Sequence, residues 1–192
     1  MGELMQALME VIVGSNELGY MQATKGLLVA NDPFFRAPAA TTRITPESTE
    51  IVTPSPPGSP PSRDGSGLQT SIVIPLLMSH RARHDVQGAV LHVLNEEGYP
   101  NGDSELAKLC LYFCSDAFDL DLGEALFYVN DVKIIVDVVI RELLNLPEDN
   151  GLRDDYLHCL DRLVEKSEWM SRGERYREAE LELASGRRFG GV

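Results

Sequence analysis

The sequence is short of cysteine, of positive charge and, through its middle, of aromatic residues, and each shortage closes off a class of protein. Three cysteines among 192 residues, two of them spaced as Cys110 and Cys114, are too few for a disulfide framework. A reducing compartment is expected, and with it a cytoplasmic protein. Seventeen Lys and Arg stand against thirty Asp and Glu, a formal net charge of -13 that repels phosphate backbones and anionic lipid surfaces. Neither a nucleic-acid partner nor membrane insertion is expected. The first basic residue is Lys25, so the basic start of a secretory signal is lacking, and the early apolar run breaks before it reaches a bilayer-spanning length.

No aromatic residue occurs between Phe35 and Tyr99, and eight of the eleven prolines fall between Pro33 and Pro61. The segment 36–67, a mixture of Pro, Ser, Thr and Gly, holds too little apolar area to offset the entropy of ordering it. It is expected to be a disordered insertion. Its Thr-Pro and Ser-Pro pairs suit a proline-directed kinase, and its proline spacing over residues 46–63 suits SH3 or WW grooves. A plain solvated spacer has the same composition.

Motifs of catalysis are missing as well. There is no Gly-rich phosphate loop, no GxSxG, no HExxH and no paired CxxC. The stretch "DLDLGEALFYVN" opens with alternating aspartates like a calcium loop, but Glu124 stands where Gly is required and Asn130 where Glu is required. His80 with His84 and Cys110 with Cys114 offer four zinc ligands in principle, yet the spacing matches no common pattern, and cysteines on an apolar helix face are ordinarily core residues. No set of nucleophile, base and orienting group converges. The sequence reads as that of a non-enzyme without a cofactor.

What is present is helical periodicity. Leu4, Leu8 and Val11 or Ile12 within 3–13, followed by a run over 18–29 closed by Pro33, predict a helical hairpin. Beyond residue 67, helices are predicted over about 68–79, 85–96, 103–117, 130–145, 152–167 and 172–185, with short breaks and no strand pattern. The last begins with a capping box, Ser171 to Glu174, and takes Tyr176, Ala179 and Leu183 as its apolar edge. The arginines Arg175, Arg177, Arg187 and Arg188 suit either an acidic partner or a charge-mixed solvated face.

The stretch "FYVNDVKIIVDVVIRELLNLPEDN", residues 127–150, decides most. Its Val and Ile favour a strand, but a strand would bury Asp137. As a helix, Val132, Ile135, Val136, Val139, Ile140 and Leu143 form one face, while Lys133, Asp137 and Arg141 recur every fourth residue on the other. These charges make i,i+4 pairs worth about 0.2–0.5 kcal/mol each. Asn130 is the expected N-cap and Pro147 the stop. A helix so largely apolar is expected at the centre of an all-α fold, a bundle or a stack of the armadillo or HEAT kind.

The residues also carry a resemblance. Phe127, Tyr128, Asn130, Asp131, Asp137, Arg141, Leu146-Pro147, Leu152-Arg153 and Tyr156-Leu157 match the C-terminal part of the leucine-rich domain of the WISH/DIP/SPIN family. "LLVANDPFF", "VLHVLNEEG" and "ELAKLCLYFC" resemble its earlier segments in the same order. The resemblance implies an armadillo-like all-α domain without enzymatic activity. It divides the chain into a helical hairpin (1–35), an insertion (36–67) and the C-terminal helical part of the same domain (68–192). It implies that the chain binds and activates the actin-related protein 2/3 complex, nucleating linear filaments at cortical, endocytic actin patches. Of the motif residues just named, Phe127, Tyr128, Asn130, Asp131, Asp137, Arg141, Arg153 and Tyr156, with Arg175 and Arg177, are then the partner-contact candidates. The family domain is about twice as long, and Asp154 and Asp155 replace less acidic family residues. An adaptor that recruits SH3 proteins through residues 46–63, without activating anything, is the other reading.

Overall fold

The computed structural model describes residues 2–14, 17–32, 71–96, 104–167 and 176–187. The Pro-rich segment and residues 168–175, with Ser171, Glu174 and Arg175, lie outside the described residues. The fold is all-α, and there is no strand among the described residues. The helices are α1 (Gly2–Gly14), α2 (Glu17–Asn31), α3 (Val73–Met78), α4 (Arg83–Glu96), α5 (Ser104–Asp119), α6 (Gly123–Leu126), α7 (Val129–Asn145), α8 (Gly151–Lys166) and α9 (Glu178–Ser185).

The centre is α5, not α7. It packs against α2, α3, α4, α6 and α8, whereas α7 packs against α4, α8 and α9. Composition explains the difference: Leu106, Ala107, Cys110, Leu111, Phe113, Cys114, Ala117 and Phe118 are buried around most of the circumference of α5. On α7 the line Lys133, Asp137 and Arg141 keeps one side polar. The face expected for α7 is the observed one, with Val132, Ile135, Val136, Val139, Ile140 and Leu143 all buried. Each such side chain contributes about 1.5–3 kcal/mol on burial.

The turn after α5 sets the position of α6. The Leu122 N–H bonds the Ala117 carbonyl (2.9 Å) and the Asp121 N–H bonds the Phe118 carbonyl (3.0 Å), with Asp121 left-handed at φ 56°. That is the Schellman pattern, filled here by an aspartate where glycine is usual. At four residues, α6 is too short to show a period in the sequence. Its Gly123 lies beneath the Phe118 ring, where a Cβ would collide with Cδ1 and Cε1.

Three local expectations differ from the structure. On α1 the buried edge is Met9 and Ile12 with Leu8 packed beside them, so Leu8 and the Ile12 alternative hold, while Leu4 and Val11 face solvent. Asn130 does not cap α7: Tyr128 holds the N-cap position, and the Asp131 carboxylate accepts the Tyr128 N–H at 2.6 Å. An acid at the third helical position reaches back to the cap as readily as Asn reaches forward. Tyr176 and Arg177 form a turn rather than helix, so the phase of α9 shifts. Leu181 and Ala184 are buried, and Leu183 is 78% exposed.

The described residues on either side of the Pro-rich segment share one core. Met9, Ile12, Leu27 and Leu28 belong to the same cluster as the residues of α3 to α9. At the junction the Asn31 amide donates to Asp116 of α5 (2.8 Å), and the Ser71 hydroxyl donates to the Asn31 side-chain oxygen. Asn31 and Ser71 are both buried.

Candidate functional site

The motif residues begin where α6 hands over to α7. Phe127 and Tyr128 are both extended, so successive side chains point to opposite sides. Phe127 goes inward and stacks on Phe118, with ring centroids 6.0 Å apart. Tyr128 goes outward and is 59% exposed. Its ring lies parallel to the His84 imidazole, with centroids 5.7 Å apart and planes 7° apart. The Tyr128 hydroxyl is 3.4 Å from His84 Nδ1. Below this pair, Gln87 Nε2 donates to the Asp131 carboxylate at 2.5 Å, fixing the N-terminus of α7 to α4. Asn130 and Val129 face solvent beside Tyr128. The result is a firmly seated aromatic shelf.

Further along α7 the charges of this line find partners elsewhere rather than in one another. The Asp137 carboxylate accepts from the Tyr176 hydroxyl (3.1 Å) and from Arg177 NH1 (2.8 Å), and Lys133 Nζ lies 5.5 Å from the centre of the Tyr176 ring. The hydrogen bond to Asp137 raises the Tyr176 phenol above its ordinary value, because an ionised phenol would face a carboxylate. Arg141 donates to the buried Glu142 at 2.6 Å and, through its two terminal nitrogens, to the Asn95 side chain and carbonyl at 2.9 Å. It thus satisfies the C-terminal turn of α4, where carbonyls lack helical partners. Arg153 of α8 does the same twice over, donating to the Leu143 carbonyl of α7 and to the Ala184 carbonyl of α9.

Tyr156 is wholly buried, and its hydroxyl has no hydrogen-bond partner among the described residues. Burial, then the Glu142 carboxylate, pushes this phenol well above its ordinary range. Cys110, Cys114 and Cys159 are buried on α5 and α8. The neighbouring Cys159 and burial push the Cys114 thiol well up, the opposite of what a reactive cysteine needs. His80 sits instead by Glu10 (3.2 Å), whose carboxyl the Arg81 guanidinium beside it holds below its usual range. The four zinc candidates are therefore not brought together, and among the described residues no group of three or more His, Cys, Asp or Glu could hold a metal ion. No helix there is long and apolar enough to cross a membrane.

The candidates thus divide. Phe127, Asp131, Asp137, Arg141, Arg153, Tyr156 and Arg177 have their groups engaged or buried inside the fold, Arg175 lies outside the described residues, and Tyr128 and Asn130 are displayed. Sequence reasoning missed Gln87 and considered His84 only as a possible zinc ligand. Their i,i+3 spacing on one helix was the available sign, but nothing in it points to Tyr128.

This division of one motif into buried and displayed residues can be set beside known proteins. The family model of the SPIN90/Ldb17 leucine-rich domain matches residues 5–181. The chain belongs to the SPIN90/Ldb17 family. Protein LDB17 of Eremothecium gossypii is 45% identical over 121 residues, which are 62% of this chain and 25% of that relative. The match thus spans about a quarter of the length of that SPIN90/Ldb17 protein. No solved structure matches the chain.

Proposed function

We propose that this chain is a non-catalytic regulator of actin assembly that binds the actin-related protein 2/3 complex and activates it without a preformed filament, nucleating linear filaments at endocytic actin patches. Membership of the SPIN90/Ldb17 family supports an actin-patch regulator. The observation that carries the finer reading is the state of the family motif. Most of its side chains lock α4, α7 and α8 together, leaving Tyr128 and Asn130 exposed on a surface that is rigid before any partner arrives. In this reading the domain is armadillo-like and residues 1–35 and 68–192 belong to it together.

A rigid surface activates by differential binding. A contact that is better made to the active arrangement of the complex than to the inactive one shifts the population by that difference and by nothing else. Exposed tyrosine is well suited to such a contact, since it supplies area at small entropic cost. The test is a fluorescence assay of actin assembly with the purified chain, the complex and monomeric actin, without seeds. The lag should shorten sharply; an unchanged lag with a folded, helical sample would overturn the reading.

The bond between Asn31 and Ser71 favours one second reading. It returns the chain to its point of departure, an arrangement suited to presenting the intervening residues to SH3 proteins. Pull-down by SH3 domains that is lost on deleting residues 46–63, with no effect on the lag, would favour this adaptor.

A further inference from the structure

The helix α9 is attached to the body as a bound peptide is attached to a receptor. At eight residues it is far below the length at which a helix holds itself, about 12–15 residues. It buries two side chains, Leu181 and Ala184, and turns Ala179, Glu180 and Leu183 outward. Polar attachments sit at its two ends. At the start, Asp137 receives Tyr176 and Arg177, with Lys133 over the Tyr176 ring. At the finish, Arg153 donates to the Ala184 carbonyl and Arg187 pairs with Asp161. Arg177 is left-handed at φ 52°, a conformation unfavourable for a non-glycine residue.

The receiving surface is built independently of α9. Asp137 projects from α7, which α4 and α8 hold through the Gln87–Asp131 and Arg141–Asn95 bonds and a buried apolar face. Arg153 and Asp161 project from α8, which is packed along α5. An apolar seat for Leu and Ala, an acid at one end, and a guanidinium and a second acid at the other therefore remain when α9 leaves.

We propose that the flank of α7 bordered by Arg153 and Asp161 of α8 is a helix-docking site, filled in cis by α9. Its partner class is a short amphipathic helix that carries Tyr-Arg at its start and Leu-x-x-Ala on one face. α9 is then a cis competitor: a partner helix binds only as far as α9 vacates the seat. This does not depend on the actin-related partner proposed above.

The test uses the full chain. Leu181→Glu places a carboxylate in the apolar seat and should release α9 while leaving the remaining helicity intact. A fluorescein-labelled peptide of residues 174–187 should bind this variant at least roughly tenfold more tightly than the unaltered chain, by anisotropy, because the competitor is gone. Adding Asp137→Ala should abolish the gain. Equal binding to both chains, or to neither, with L181E folded would overturn the proposal. Hydrogen exchange on the unaltered chain gives a second reading that needs no variant. The amides of α9 should exchange at least roughly tenfold faster than those of α5, and equal protection of the two helices would overturn the proposal as well.

Discussion

Asn31 and Ser71, 40 positions apart in the chain, share a buried hydrogen bond. The end of α2 and the approach to α3 are thereby held at one point, and Asp116 of α5 anchors that point to the core through the Asn31 amide. The described residues on either side of 33–70 therefore meet at one place.

The first prediction concerns this junction. Asn31→Ala removes the amide that pairs with both Ser71 and Asp116, depriving the buried Ser71 hydroxyl of its acceptor, and should cost about 1–3 kcal/mol in urea unfolding. Replacing residues 36–67 with a short Gly/Ser linker should instead leave stability equal or slightly higher, since each halving of a loop lowers its closure cost by about 0.6 kcal/mol. A large loss from the linker variant would show that the segment contributes to the core.

Tyr128→Ala separates display from support. The side chain is mostly outside and its neighbour Asp131 bonds the backbone, so thermal stability should change by less than about 1 kcal/mol. Activation of the actin-related protein 2/3 complex should fall by about tenfold or more if the tyrosine is a central contact. Full activity in the folded variant would remove Tyr128 from the interface.

Tyr156→Phe is expected to be neutral or stabilising, by up to about 1 kcal/mol, because the hydroxyl it removes has no partner among the described residues. The pH dependence has a definite sign. The folded phenol titrates above its unfolded value of 10.0, so its contribution is fully present below about pH 10 and is lost as pH rises toward the folded value. Chemical denaturation from pH 8 to 11 should show a shallower alkaline decline in the Phe variant than in the parent.

Two neighbouring positions test the turn after α5 in opposite directions. Asp121→Gly relieves the left-handed backbone and forfeits an exposed pair with Lys166 (3.2 Å), for a net gain of roughly 0.5–1 kcal/mol. Gly123→Ala drives a methyl group into the Phe118 ring and should cost about 1–3 kcal/mol. Melting temperatures that move the same way for both would contradict the turn as described.

Legibility in the sequence varied with the range of the interaction. Period alone made 130–145 a helix and chose the buried face of α7, since both depend on neighbours within a few turns. The partners of Asp137 were illegible for the converse reason. An i,i+4 pair is worth a few tenths of a kcal/mol, and a residue 40 positions away can offer more, as Arg177 does at 2.8 Å. The N-cap was misplaced by two residues because Asn is a good cap by type, while Asp131 acts from three positions on. The apolar edge of α9 was misread because the left-handed Arg177 resets the helical phase. As for the candidate site, the motif named the residues, but the separation of Tyr128 from those that support it depends on His84 and Gln87, which only the packing of α4 on α7 brings into view.

The three thiols of the α5 and α8 seam carry a practical consequence. Cys110, Cys114 and Cys159 are each fully shielded, so a small alkylating reagent can label the native chain only in the moments when that seam parts. Labelling rate then becomes a stopwatch for the slowest breathing of the domain, readable by mass in the presence of any partner. A ligand that stiffens the whole stack will slow the clock, and one that merely displaces α9 will leave it running at the same pace.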